Sequence, residues 1–139
     1  MTPLQRITAR VNVAYNAPGT PEPLVTLEEF FDGNESAGSI CCNLTPTPEP
    51  AEVYEVLKGI RSRSDVADVR VQITMFDDPD DWPFSDTVWV VTSAAPEVVK
   101  SWFPEAIAPD ECTAGWTEGV KLEPMTTPPG NRPVSCWWD

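Results

Sequence analysis

Residues 66–76 read Val66-Ala67-Asp68-Val69-Arg70-Val71-Gln72-Ile73-Thr74-Met75-Phe76. Val69, Val71, Ile73 and Met75 fall on one side of this run, and Arg70, Gln72 and Thr74 on the other. Such a period of two is that of a β-strand buried on one face only, and it points to an antiparallel sheet with a single covered side. The flanking segments supply the cover. Ala51–Arg63 carries Val53, Leu57 and Ile60 at helical spacing, with Lys58, Arg61 and Arg63 towards its C-terminal end, where cations suit the helix dipole. Thr87–Ser93 contains the unbroken run Val88-Trp89-Val90-Val91 and reads as the next strand. Residues 95–106 form a second helix with Pro96 in its first turn and Val98, Val99, Trp102 and Phe103 on its apolar side. Pro133–Asp139 closes the chain as a last strand.

Before residue 66, Ser39–Leu44 is short and apolar and reads as a strand. From residue 39 the order is then strand, helix, strand, strand, helix, strand. This is the ferredoxin-like βαββαβ pattern, an antiparallel sheet with two helices on one face. Further upstream, Ile7, Ala9, Val11, Val13 and Tyr15 alternate with Arg6, Thr8, Arg10 and Asn12, which predicts an additional N-terminal strand over residues 4–15. Thr26-Leu27-Glu28-Glu29 is a capping box that opens a short helix through Phe30-Phe31, with Gly33 as its stop. The expectation is an α+β chain forming a single domain over 1–139. Residues 1–36 supply the extra strand and short helix, and 39–139 supply the split βαβ core. The 16 prolines cluster between the apolar segments and act as punctuation.

Composition excludes whole classes of function. The chain has 22 acidic and 9 basic residues, a net charge of −13 and no histidine. Without imidazole there is no Ser-His or Cys-His nucleophile pair and no histidine metal ligand. Nucleic acids and anionic membranes are disfavoured partners, because affinity for both is supplied largely by Lys and Arg. No stretch is long and apolar enough to span a bilayer or to form a signal-peptide core, so a cytoplasmic location is expected. Glycine-rich phosphate loops are missing from the sequence, no two carboxylates are paired by any motif, and no cofactor is expected. Cys41, Cys42, Cys112 and Cys136 form no C-x-x-C, and in a reducing compartment they read as small buried thiols.

The residues that stand out lie between the two central strands. Five of the ten residues 77–86 are aspartate, interleaved with Trp82 and Phe84. One reading is a Ca²⁺ or Mg²⁺ site, although the run lacks the ligand spacing of an EF-hand. A second is a solvated hairpin loop stiffened by Pro79 and Pro83. The third is a contact surface for a basic protein, with Asp77, Asp78, Asp80 and Asp81 steering the encounter while Trp82 and Phe84 anchor it. The third gives the functional expectation: a non-enzymatic acidic binding protein, for example an immunity or inhibitor protein that masks a basic, nucleic-acid-acting partner. The alternative is a small-molecule or metal-binding regulatory module acting as an oligomer. In Trp137-Trp138 the two rings point to opposite sides of the last strand. The indole outside the helix-covered core is a candidate contact for a homodimer, unless a fold-back of residues 108–132 with Trp116 covers it, which is the favoured reading.

The run Trp82-Pro83-Phe84-Ser85-Asp86-Thr87-Val88-Trp89-Val90-Val91-Thr92-Ser93, with the Trp137-Trp138-Asp139 ending, resembles small acidic bacterial proteins of uncharacterised function. The resemblance covers about the last two-thirds of the chain. It implies a bacterial, cytoplasmic origin and brings no catalytic residue.

Overall fold

A computed structural model describes residues 1–139, apart from the side chains of Val13 and Asn16. The elements in chain order are α1 (Pro3–Asn16), β1 (Leu24–Thr26), α2 (Leu27–Phe31), α3 (Pro50–Arg61), β2 (Val66–Gln72), β3 (Thr87–Thr92), α4 (Pro96–Ser101), a 3₁₀ turn (Glu105–Ile107), β4 (Glu111–Ala114) and β5 (Arg132–Trp137). The strands form one five-stranded sheet in the order β1-β2-β3-β5-β4, and every neighbouring pair is antiparallel. The α+β class, the antiparallel sheet and the strands expected at 66–76, 87–93 and 133–139 are therefore present, the first of them shortened at its C-terminal end.

The ferredoxin-like order is not. It needs a strand at 39–44 lying between the last strand and Thr87–Ser93, and that segment forms turns. Cys41 has φ of 57°, a left-handed conformation no strand residue adopts. Ile40 and Cys41 are still buried, so the apolar run plugs the core without joining the sheet. With the slot vacant, β3 pairs directly with β5, Val88 opposite Cys136 and Val90 opposite Val134. Leu24–Thr26 and Glu111–Ala114 are added as short edge strands outside this central trio.

The N-terminal strand expected at 4–15 is the helix α1. Thr2 caps it: the Gln5 backbone N–H donates to Thr2 Oγ1 at 3.1 Å, and Gln5 Oε1 accepts from the Thr2 N–H at 2.8 Å. Pro3 occupies its first turn, where a missing N–H costs nothing. Ile7 and Val11, four residues apart, are buried, whereas Ala9 and Tyr15 of the expected strand face are exposed. The fourth residue of that face, Val13, has its side chain outside the described residues. The helix expected over 95–106 ends at Ser101. Pro104 lacks the N–H that a further turn requires, and the chain continues as a separate 3₁₀ turn.

Register sorts the sheet into two faces. Val25, Val71, Val88, Cys136 and Cys112 share one, with Val69, Val90 and Val134 in the neighbouring row. On this face they meet Ile7 and Val11 of α1, Phe30 and Phe31 of α2, Val53, Leu57 and Ile60 of α3, and Val99 and Phe103 at α4. Trp138 belongs to the same core: its ring meets Phe103 edge-on at 5.8 Å and its Nε1–H donates to the Ile107 carbonyl at 3.0 Å. The opposite face carries Leu24, Gln72, Trp89, Ser135 and Trp137, and it is this face that positions the candidate site.

Candidate partner-binding site

Trp89 sits at the centre of the second face and is fully buried. Two groups enclose it. Its Nε1–H donates to Gln72 Oε1 at 2.8 Å, so the indole is satisfied within the sheet. Trp116 then lies over its ring, with centroids 4.9 Å apart and planes at 40°. Trp116 comes from the Pro- and Gly-rich segment between β4 and β5, which folds back across the sheet onto Trp89 and not, as expected, over the outer indole of the terminal pair, Trp137, which stays exposed. The return is pinned at the far edge. Glu22 N donates to Lys121 O at 2.8 Å and Glu123 N to Glu22 O at 3.0 Å, and the Glu123 carboxylate accepts from Leu24 N and from the Arg10 guanidinium.

The fold-back covers Trp89 but leaves part of the face open. Between it and β4–β5 runs a shallow groove of about 450 Å³, lined by Gln72, Asp86, Glu111, Trp116, Ser135 and Trp137 among others. Trp116 is 46% exposed and Trp137 is 37% exposed, so two indoles offer ring surface to solvent here. Glu111 and Trp137 are direct cross-strand partners, which places a carboxylate beside one of the rings. The groove thus combines flat apolar surface with negative charge, the chemistry that accepts Arg and Lys side chains through cation–π and carboxylate contacts.

The acidic loop is rooted at one end of this groove. Thr74, which also lines the groove, accepts from Asp86 N through Oγ1 at 3.2 Å, and Thr74 N donates to the Phe84 carbonyl at 3.0 Å. From there the loop runs to the helical side, where Thr8 Oγ1 of α1 donates to the Pro79 carbonyl at 3.4 Å, and Asp77, Asp78, Asp80 and Asp81 are all exposed. Asp78 shapes the turn by accepting from Asp80 N at 2.9 Å. Among the described residues none of the four forms an ion pair, whereas Arg10, Lys58, Arg61, Arg63 and Arg70 are matched to Glu29 and Glu123, Glu55, Glu28, Asp65 and Asp68. The acidity of the loop therefore faces solvent uncompensated. No group of three acidic or cysteine side chains that could hold a metal ion occurs among the described residues.

Trp82 and Phe84 are placed differently from the aspartates. Trp82 is half-buried against the helical core and its Nε1–H donates to the Phe30 carbonyl at 3.0 Å. Phe84 is half-buried too, and its backbone bridges to Met75 across the base of the loop. Both pin the loop to the body of the protein. The exposed indoles are Trp116 and Trp137, which the sequence offers only as a cover and as half of a tryptophan pair.

A second cleft, between α1 and α2, is lined by Arg6, Arg10, Glu28, Glu29 and Asp32. Arg10 is already held by Glu29 and Glu123, and Glu28 by Arg61, so the charges of Arg10, Glu28 and Glu29 are spent on joining elements. No helix is long and apolar enough to cross a membrane among the described residues.

The family model that matches this chain is that of the uncharacterized protein YfbO family, over residues 2–136. The chain belongs to the YfbO family. It is similar to the uncharacterized protein YfbO of Escherichia coli strain K12, with 53% identity over 141 residues and the whole of both chains covered. This agrees with the resemblance to small bacterial proteins of uncharacterised function, and the match extends it across the N-terminal α1. No solved structure matches this YfbO-family chain.

Proposed function

We propose that this YfbO-family chain is a cytoplasmic, non-catalytic binding protein for a basic protein partner, of the immunity or inhibitor type. The observation that carries the reading is the junction of two surfaces: four exposed, unpaired aspartates rooted at the end of a groove that presents Trp116 and Trp137 beside Glu111 and Asp86. Unpaired charge accelerates encounter with an oppositely charged partner, and desolvated aromatic rings slow its release. In this reading Asp77, Asp78, Asp80 and Asp81 steer, Trp116 and Trp137 anchor, and Trp82 and Phe84 fix the loop in place.

The test is capture at low salt from a lysate of the host. Wild type is run beside a variant with Asp77, Asp78, Asp80 and Asp81 changed to Asn and beside Trp116→Ala. A basic protein retained by wild type and lost by both variants is expected. With the captured partner in hand, the four Asn substitutions should lower the association rate about tenfold and flatten its salt dependence, whereas Trp116→Ala should act on dissociation. An association rate indifferent to both salt and the four substitutions would remove the loop from the function.

A further inference from the structure

Cys112 and Cys136 are Cα partners in the β4–β5 ladder, and their Sγ atoms lie 3.6 Å apart. The kind of pairing matters. Continuing the register one step beyond Ala114 and Val134, Gly115 N donates to Pro133 O at 2.9 Å, which marks that facing pair as hydrogen-bonded. Hydrogen-bonded and non-hydrogen-bonded pairs alternate along an antiparallel ladder, so Cys112 and Cys136 occupy a non-hydrogen-bonded pair. There facing Cα atoms approach to about 4.5 Å, inside the roughly 4.4–6.8 Å window that a disulfide spans. Closure then requires side-chain rotation from 3.6 Å to about 2.05 Å without moving the strands.

The two thiols also differ in access. Cys136 is fully buried, while Cys112 is half-exposed on the edge strand. Cys41 is buried, and Cys42 is exposed.

We propose that Cys112 and Cys136 form a reversible cross-strand dithiol–disulfide couple, with Cys112 as the attacking thiol, Cys136 as the resolving one, and small-molecule disulfides as the oxidant class. Cys112 loses its proton to solvent, and its thiolate attacks one sulfur of the small disulfide. A mixed disulfide forms on Cys112, and one small thiolate leaves and takes up a proton. Cys136 then gives up its proton and attacks Cys112 Sγ, which expels the second small thiol. Two protein thiols are oxidised to one disulfide, and one small disulfide is reduced to two thiols. The surroundings favour this direction of attack. The hydrogen bond shared with Cys136 holds the Cys112 thiol below its ordinary value against the opposing effect of burial, and the charge of Lys100 adds to it. The same hydrogen bond, together with burial, pushes Cys136 up.

The experiment uses the full chain carrying Cys42→Ser, which removes the exposed thiol, incubated folded with oxidised glutathione, quenched in acid, alkylated and digested. The expected product is a peptide pair joined through Cys112 and Cys136, with both thiols lost to alkylation. Adding Cys136→Ser, or Cys136→Ala if the serine does not fold, should stop the reaction at a glutathione adduct on Cys112. Adding Cys112→Ser should leave Cys136 unmodified. Two free thiols at 112 and 136 in the oxidised Cys42→Ser chain, or an adduct that settles on Cys136 in preference to Cys112, would overturn the proposal. The first arm alters no core residue, so its result does not depend on how the buried substitutions fold.

Discussion

Glu28 shows how this strongly acidic chain uses the few cations it has. Both Arg61 guanidinium nitrogens reach its carboxylate, at 2.8 and 2.7 Å, which ties the first turn of α2 to the last turn of α3. That hydrogen bonding lowers the Glu28 carboxyl from its ordinary 4.5 to about 2. A depressed folded-state value stabilises above the unfolded value, and the stabilisation is lost as pH falls through the folded one. Arg61→Gln should therefore destabilise by a constant amount above pH 4.5, with the gap to wild type closing between 4.5 and about 2. Glu28 is about half-exposed, so water screens the pair and the plateau should be about 0.5–1 kcal/mol. Urea unfolding across that pH range measures it. At the same scale, the charged half of the candidate site could be read from residue types alone, because five aspartates in ten residues have nowhere to go but solvent. The aromatic half could not. Trp82 lies among those aspartates yet spends its N–H on Phe30, while Trp116 lies in a stretch without period and acquires its place only by meeting Trp89, 27 residues earlier in the sequence.

Among the elements, two glycines separate conformational need from mere tolerance. Gly33 follows α2 with φ of 77°, and a Cβ there would stand 2.5 Å from two ring carbons of Pro3 at the start of α1. Gly59 lies inside α3, and an added Cβ meets nothing within 4 Å. Gly33→Ala should cost at least about 2 kcal/mol, combining left-handed strain with displacement of Pro3. Gly59→Ala should gain about 0.5–1 kcal/mol through helix propensity alone. Opposite shifts in the denaturant midpoint check both. The elements that were readable share a physical property: their own residues satisfy them. The α3 stripe of Val53, Leu57 and Ile60 and the alternation of Val69, Val71 and Ile73 are buried as their periods require, whereas Met75, the last of the expected face, lies past the end of β2 and is exposed. In α1 two periods coexist, because alternation from Ile7 to Tyr15 overlies the pair Ile7 and Val11, and the capping chemistry at Thr2 and Gln5 decides between them. Strand β4 shows the reverse. Glu111–Ala114 has little strand character of its own and pairs because β5 offers it an edge.

For the whole molecule, charge and stability should prove separable. The aspartates of the 77–81 loop make no ion pairs among the described residues, and Asp78 acts on its turn through an oxygen that Asn retains. Changing Asp77, Asp78, Asp80 and Asp81 to Asn should leave stability within about 0.5 kcal/mol of wild type at moderate salt. It should raise stability at low salt, where self-repulsion in a chain of net charge −13 is least screened. Thermal melts at two ionic strengths check this, and an unchanged melt also ensures that lost binding by this variant reports on contact and not on folding. The topology at this scale lay furthest from the sequence. A six-element pattern matches βαββαβ only if residues 39–44 enter the sheet, and they form turns instead, with Cys41 left-handed among them. Direct β3–β5 pairing follows from that exclusion, while the two edge strands occupy the outer sides of β2 and β5.

The contact between Trp89 and Trp116 has an optical consequence. Among the described ring contacts it is the one that brings two indoles together, and their centroids are 4.9 Å apart with the planes inclined at 40°. Indoles this close and tilted couple their electronic transitions, so the folded chain should carry an excitonic couplet in circular dichroism that neither chromophore gives alone. The signal would vanish whenever the returning segment lifts off the sheet. The molecule thereby carries its own unlabelled gauge of whether the fold-back is seated on the sheet, readable in solution without an attached dye.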